Sequence, residues 1–204
     1  MKKFIPMISV LAVAICITAC ETKPTAEVNA SPDKEIVELK PDYGGFNSQV
    51  EWGEQLVRIM DCNVCHTPKI MTEQGPVEDE SRLLMGHPSD MPGFDIDLKE
   101  IESKGLMVTG DGTAWAGAWG VSFAANLTPD DTGIGTWSEE QFFRAIREGK
   151  SKGLESSRAL LPPMPWPAYR HMTDDQLRAV FAYLKSLKPI SNVVPAPLLP
   201  VNGQ

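Results

Sequence analysis

The chain has 204 residues, of which 42% are hydrophobic and 23% are charged, values typical of one globular domain with its own core. It carries 27 acidic and 19 basic residues, which gives a formal net charge of −8. Because proteins bind a phosphate backbone through clustered lysine and arginine, this acidic balance argues against a nucleic acid partner.

The first twenty residues have the pattern of an export signal. Lys2 and Lys3 precede an apolar run over residues 4–17, which small residues and Cys20 follow,. An uncleaved membrane anchor is the alternative, although the run is short beside the roughly 20 residues that a membrane span needs. The order of aliphatic, small and cysteine residues resembles the lipobox of bacterial lipoproteins. This resemblance implies that residues 1–20 are a lipoprotein signal and that Cys20 becomes the lipidated mature N-terminus.

Residues 21–45 are rich in small and polar residues and show little periodicity, which is typical of a flexible tether. A tether of about 25 residues reaches roughly 25–30 Å, so the domain can stand off a membrane and still meet a partner. With Cys16 in the signal and Cys20 acylated, only Cys62 and Cys65 remain of the four cysteines. No disulfide framework is then possible beyond that one pair.

Three amphipathic helices are predicted after the tether, each with a recognisable cap. The first begins at Asn47 or Ser48 and has apolar residues at helical spacing up to the Cys62 motif,. The other two begin with the pattern of a capping box, in which a hydroxyl residue precedes a glutamine by three positions. These pairs are Ser138 with Gln141 and Thr173 with Gln176.

Residues 69–125 have broken patterning, with several prolines, many glycines and clustered acids, which predicts a long irregular insertion with at most short helices. The sequence therefore predicts an all-α domain over residues 46–190 with long loops, followed by a C-terminal tail over residues 191–204. The acids Glu78, Asp79 and Glu80 of the insertion are candidates for steering a basic partner, with an ordinary solvated surface as the alternative.

The chemistry of the chain centres on Cys62-Asn63-Val64-Cys65-His66, the attachment sequence of c-type haem,. Two thiols at this spacing can form thioethers with the two vinyl groups of a porphyrin, and the imidazole of His66 can bind the iron. A zinc half-site or a thiol redox pair are the alternatives, but the sequence lacks further paired zinc ligands and a βαβ pattern. One motif predicts one covalent haem per chain.

Several segments together resemble bacterial cytochromes c of the kind found in dihaem cytochrome subunits of alcohol and sugar dehydrogenases. They are residues 52–57, 67–68, 119–130, 133–137 and 161–166. The resemblance implies a cytochrome c fold, one-electron transfer and an axial methionine in the last segment. It also implies that Gly53 lets the first and last helices cross, opposite Tyr183 and Leu184. Members of that group commonly hold two or three attachment motifs, whereas this chain holds one.

Met164 is the predicted sixth ligand of the iron. Four prolines stiffen its loop, namely Pro162, Pro163, Pro165 and Pro167, so a thioether held there loses little entropy on binding, and Met–His coordination is established for haem. A methionine that only fills the core is the alternative. His87, interpreted as a surface loop residue, and His171 and Met172 are weaker candidates.

Trp119 and Trp137 are predicted as possible donors to the haem propionates. An indole N–H can donate to a buried acid, although large aromatic side chains more often serve as plain core. Both interpretations stay open for each residue.

With both axial positions filled, the predicted function is electron transfer, with no catalytic residues. The predicted location is the periplasmic side of a membrane, to which Cys20 anchors the protein. Redox proteins are the expected partners: an exported dehydrogenase or quinol-oxidising complex as donor and a terminal acceptor. The alternatives are a haem-based sensor or small-ligand binder, which needs an open iron position, and an electron-exit subunit of a dehydrogenase complex.

Overall fold

The structure is a computed structural model that describes residues 42–91 and 96–200. The predicted signal, Cys20 and nearly all of the tether lie outside the described residues, as do the last four residues of the predicted tail. Over the described part of the chain, no helix combines the length and the apolar content that crossing a membrane requires.

The three predicted helices are confirmed, with short helices beside them. Ser48 caps the first helix, since its Oγ accepts a hydrogen bond from the Glu51 N–H at 3.2 Å. Thr173 and Gln176 form a complete capping box. The described residues contain the helices α1 (Gln49–Ile59), α2 (Cys62–His66), α3 (Leu98–Ser103), α4 (Glu139–Glu148), α5 (Trp166–Tyr169) and α6 (Asp174–Ser186).

Helix α4 has half of its predicted capping box. The Ser138 Oγ accepts from the Gln141 N–H at 3.2 Å, whereas the Gln141 side chain donates to the Lys152 carbonyl at 2.7 Å. The helix ends at Gly149, whose φ of 65° lies in the left-handed region that favours glycine,.

Helices α1 and α6 pack directly across one another. A Cβ atom at Gly53 would lie 1.9 Å from the Ala179 carbonyl oxygen and 2.8 Å from the Tyr183 Cβ, so the two backbones can approach this closely only at glycine. The predicted crossing opposite Tyr183 is confirmed, although the closest atom belongs to Ala179. The apolar core around the crossing includes Leu56, Val57, Leu84, Ile134, Phe142, Leu177, Val180 and Leu184.

The prediction of an all-α domain is wrong, because the insertion contains two antiparallel sheets. Strands β1 (Lys69–Thr72) and β2 (Gly75–Glu78) form a hairpin directly after the haem motif. Strands β3 (Val108–Thr109), β4 (Ala114–Gly117) and β5 (Gly120–Phe123) form a three-stranded sheet in that order.

Short length and composition hide these strands from a periodicity analysis. They are two to four residues long, and β4 and β5 read Ala-Trp-Ala-Gly and Gly-Val-Ser-Phe, with few of the β-branched residues that mark strands. The glycines that suggest an irregular loop instead form tight turns. Gly120 has φ 91°, and a Cβ there would lie 1.9 Å from the Leu198 carbonyl oxygen.

The segment over residues 191–200, predicted as a tail, lies against the insertion. The Val121 N–H donates to the Leu198 carbonyl at 2.7 Å, and the Leu198 N–H donates back at 3.0 Å. The buried Asn192 side chain makes three further bonds to the loop over residues 85–89. Its partners are the Met85 carbonyl at 2.7 Å, the His87 carbonyl at 2.9 Å and the Ser89 N–H at 2.9 Å.

Candidate haem site

The attachment residues Cys62, Cys65 and His66 lie on one short helix, α2, directly after α1. Asp61 joins the two helices in a left-handed conformation with φ 56°, which turns the chain sharply. Thiols three positions apart on a helix are neighbours on its surface, as attachment to one edge of a porphyrin requires. Val64 between them is 46% exposed, so the attachment segment reaches the surface of the protein.

The electrostatics of the two thiols disfavour a thiol redox site. Burial raises the pKa of the Cys62 thiol to about 12. Burial also raises the pKa of Cys65, and the nearby Lys69 only partly opposes this. Both groups are therefore neutral thiols near pH 7, whereas thiol exchange uses the thiolate. Both are half-buried and free of a disulfide among the described residues, so they are available for thioether formation.

The imidazole of His66 is oriented by a backbone carbonyl. Its Nδ1 lies 2.7 Å from the Ala125 oxygen, and because a carbonyl oxygen only accepts, Nδ1 must carry the proton. Burial lowers the pKa of His66, which the bond to Ala125 partly opposes, so the ring is neutral. The Nε2 lone pair is then free for an iron atom, and the second bond of the ring fixes the tautomer.

Lys69 and Thr67 support the attachment helix, a role that the sequence pattern had not assigned to either residue. The Lys69 ammonium lies 2.9 Å from the Val64 carbonyl and 2.5 Å from the Thr67 carbonyl, where it satisfies the free carbonyls at the end of α2. The buried Thr67 hydroxyl accepts from the Leu84 N–H at 3.1 Å. A lysine four residues after the second cysteine is the only local signal that could have indicated this role.

The segment over residues 161–169, which we call the Met164 segment, is anchored on both sides of the methionine. Before it, the Ser122 hydroxyl donates to the Pro162 carbonyl at 2.6 Å. After it, the Tyr169 hydroxyl donates to the Met60 carbonyl, two residues before Cys62. The structure therefore brings the Met164 segment to the haem motif. Met164 is itself half-buried, and its ligation of iron stays a prediction.

The other ligand candidates have different surroundings. His87 is not a surface loop residue as predicted, because it is 1% exposed. Its Nδ1 contacts the Thr113 hydroxyl at 2.7 Å, and its ring lies 4.8 Å from the Phe123 ring. His171 is exposed and Met172 half-buried just before α6.

The two predicted propionate donors lie in different surroundings. The Trp119 Nε1–H donates to the Ser122 hydroxyl at 3.2 Å, and Trp137 packs against the main apolar core. The predicted propionate contact of each indole stays a prediction.

The donor set matches c-type haem in its chemistry. Two neutral thiols can add to vinyl groups, and the neutral imidazole beside them presents a free Nε2 for the iron. The Asn63 Oδ1 and the His87 Nε2 are buried without a hydrogen-bond partner in the part of the chain that the structure describes. Buried unpaired polar atoms are uncommon in a finished core, which is consistent with a structure completed by a further group.

This site defines a class of protein that attaches haem c covalently and carries electrons through it. The model of the cytochrome c family matches residues 50–188, which is more than half of the chain. The chain belongs to the cytochrome c family. It therefore binds haem c covalently, and its cytochrome c domain is an electron carrier.

Similar proteins are subunits of dehydrogenases, which confirms the resemblance seen in the sequence. A nicotinate dehydrogenase subunit of Pseudomonas putida is 29% identical over 158 residues, which are 76% of this chain and 10% of that protein. The fructose dehydrogenase cytochrome subunit of Gluconobacter japonicus is 34% identical over 99 residues, which are 44% of this chain and 20% of that protein. The alcohol dehydrogenase (quinone) cytochrome c subunit of Gluconobacter oxydans is 26% identical over 144 residues, which are 70% of this chain and 22% of that protein. The chain thus spans about a tenth to a fifth of the length of these relatives.

Proposed function

We propose that this protein is a one-electron carrier with a single haem c, attached through Cys62 and Cys65 and ligated by His66 and Met164. The observation that carries the proposal is the pair of anchors on the Met164 segment, one of which ends on Met60 beside the haem motif. Bound haem supplies an iron atom that cycles between the ferrous and ferric states.

The residues of this chain have distinct tasks in that carrier. Cys62 and Cys65 hold the group covalently, so that it stays in place through many electron transfers. His66 keeps its Nε2 directed away from the Ala125 carbonyl that binds its Nδ1. Met164 supplies a soft, neutral thioether, which favours the ferrous over the ferric state. With His66 and Met164 both bound, no iron position would stay open to small ligands, which favours a carrier over a sensor.

Carbon monoxide binding to the reduced protein tests this coordination. We expect the wild type to bind carbon monoxide poorly, and Met164→Ala to bind it readily and to lose the methionine-to-iron charge-transfer band of the oxidised form. Met71→Ala is the matched control, because Met71 is 79% exposed on the β1–β2 hairpin and should change neither property. Ready binding by the wild type, or a Met164→Ala variant that keeps the band, would contradict the proposal.

We propose further that the carrier works at a membrane surface on the periplasmic side, anchored by a lipid on Cys20. The support is the lipobox-like order of residues before Cys20. Lipoprotein acylation adds several chains, which bind a membrane far more firmly than the marginal binding of one. Metabolic labelling with palmitate should mark the wild type but not Cys20→Ser. A Cys20→Ser variant that is still labelled and still sediments with membranes would refute the anchor.

The similar proteins suggest the donor. Three of them are named as subunits of nicotinate, fructose and alcohol dehydrogenases, so we propose that an exported dehydrogenase reduces this chain and that a terminal acceptor oxidises it. An electron-exit subunit of such a complex is the second candidate, favoured by the same names. Solubilised membranes distinguish the two: a subunit should co-purify with a dehydrogenase in fixed stoichiometry, whereas a free carrier should be reduced by it without co-purifying.

A further inference from the structure

One short segment of the insertion contacts the segments of both proposed axial ligands. At its end, the Ala125 carbonyl accepts the His66 Nδ1–H at 2.7 Å. Three residues earlier, the Ser122 hydroxyl donates to the Pro162 carbonyl at 2.6 Å, two residues before Met164. These bonds join residues 59 and 40 positions apart in sequence. We call residues 119–125 the bridging segment.

We propose that the bridging segment positions Met164 and that Ser122 is the positioning residue on that side. The Ser122 hydroxyl binds the Pro162 carbonyl at the start of the Met164 segment. It thereby fixes the position of that segment relative to the Ala125 carbonyl, which orients His66. This inference rests on the proposed coordination by His66 and Met164.

The Ser122 hydroxyl is fixed in direction because its bonds have definite roles. A serine hydroxyl has one proton to donate, and Ser122 directs it to the Pro162 carbonyl. A lone pair of the same oxygen accepts from the Trp119 Nε1–H at 3.2 Å, and an indole N–H can only donate. The direction of the three-residue relay therefore runs from Trp119 through Ser122 to Pro162.

The backbone under Ser122 is held on both sides. Ser122 faces Trp115 across the β4–β5 ladder. Its neighbour Val121 exchanges two backbone hydrogen bonds with Leu198 in the C-terminal segment. Sites built on strands are more precise than sites on loops. A bond from strand β5 can therefore limit the motion of the loop around Met164, which lies outside the helices and strands.

Met164 is thus held between two independent anchors. The bond from Ser122 to Pro162 lies before it, and the bond from Tyr169 to Met60 lies after it. Loss of Ser122 should release the start of the loop only, so that the thioether dissociates more often while the haem stays attached through its cysteines. The expected effect is weaker ligation by methionine and not loss of the cofactor.

The rate at which cyanide binds the oxidised, haem-loaded full-length protein measures this release, because cyanide must wait for the methionine to leave. We expect Ser122→Ala to raise the rate by roughly two- to tenfold, the range for loss of one neutral hydrogen bond, and to weaken the methionine-to-iron band. Ser122→Thr keeps a hydroxyl and should keep the wild-type rate. Trp119→Phe removes the indole N–H that donates to Ser122, together with part of the aromatic ring, and should raise the rate by a smaller factor.

Ser186→Ala is the matched control, since the Ser186 hydroxyl donates to the Tyr183 carbonyl at 2.7 Å in α6. An unchanged rate and band in Ser122→Ala, or an equal change in Ser186→Ala, would overturn the inference while leaving ligation by Met164 intact. If Met164→Ala keeps the band, the coordination itself fails and the inference fails with it. Should Ser122→Ala not load haem, a raised rate in Trp119→Phe supports the inference and an unchanged rate overturns it.

Discussion

Two regions of the domain are held by different kinds of contact. They are the helical frame, made of α1, α4 and α6, and the insertion over residues 69–125. Helices α1, α4 and α6 share one apolar core around the Gly53 crossing. The insertion has a much smaller apolar cluster of its own, made of Ile101, Ala116 and Val121. Apart from Leu84, which lies in the main apolar core, the insertion is joined to the rest of the domain by hydrogen bonds, among them those of the His66, Ser122 and Asn192 side chains.

This difference separates stability from positioning. Apolar burial is non-directional and roughly proportional to area, so it stabilises the frame without fixing individual atoms. Hydrogen bonds contribute less free energy each but impose direction and distance. The insertion was predicted to be irregular, yet it carries the hydrogen bonds that position the candidate ligands.

The largest expected effect comes from replacing the two cysteines that attach the haem. The double variant Cys62→Ser with Cys65→Ser should contain no covalent haem and lose its cooperative thermal transition, since a ligand bound only by the native state contributes to its stability. Extraction with acidified acetone, followed by pyridine haemochrome analysis, should find one haem per wild-type chain and none in the variant.

Val64→Ala is the control for the double variant, because Val64 lies inside the motif, is 46% exposed and supplies no thioether. Acetone-extractable haem in the wild type, or two haems per chain, would contradict covalent attachment at a single motif.

Gly53→Ala tests the frame alone. The added Cβ would lie 1.9 Å from the Ala179 carbonyl oxygen, so α1 and α6 must separate, and we expect a loss of at least about 2 kcal/mol in the free energy of unfolding. Gln55→Ala, at an exposed position of the same helix, should change it little. If Gly53→Ala unfolds at the wild-type denaturant concentration, the close crossing is not a feature of the folded protein.

Asn192→Ala tests the polar connection of the insertion. The variant removes three hydrogen bonds at a side chain that is 3% exposed, which should cost about 2 kcal/mol. Amide exchange should accelerate in the loop over residues 85–89 before it accelerates in α1 and α6. Asn47→Ala, which removes an exposed side-chain bond to Glu51, is the control. Uniform acceleration across the chain would show that the two regions unfold as one unit.

The sequence predicted the frame well because its signals are local. The caps at Ser48 and Thr173 lie within three residues of the groups they bind, and the apolar stripes repeat at helical spacing. The strands of the insertion lack such a signal, because their pairing depends on partners brought together by turns at glycine. Alternation over four residues cannot be distinguished from a loop.

The residues of the candidate site also fall into two groups, those that a local sequence motif predicts and those that only the fold brings together. The Cys62, Cys65 and His66 pattern is contiguous, so the motif alone indicated it. The Ala125 carbonyl, the Asn192 amide and the Tyr169 hydroxyl reach partners 59, 107 and 109 positions away. A backbone carbonyl has no residue-type signal at all. Positions of this kind follow from the fold and not from composition or spacing.

The smallest expected effect concerns the surface charge of the insertion. The Asp79 carboxylate accepts from the Ser81 hydroxyl at 2.6 Å and pairs with Arg82 at 2.6 Å, and these bonds lower its pKa. Of the three predicted steering acids, Glu78 and Glu80 can therefore be neutralised with less risk to the local fold. Charges on a protein surface act mainly on the rate of encounter, and salt screens them over about 8 Å at physiological ionic strength.

Electron transfer to cobalt(III) hexaammine, a small cationic oxidant, measures this steering without a known partner. Glu78→Gln with Glu80→Gln should slow the second-order rate at low salt by less than about tenfold, and the difference should vanish as salt screens the charges. Glu102→Gln with Glu148→Gln removes the same net charge from exposed positions of α3 and α4 and should slow it less. Equal slowing by both pairs would mean that net charge acts and that the insertion has no special face. A wild-type rate that is indifferent to ionic strength would remove electrostatic steering altogether, because a cation approaching an acidic surface must respond to screening.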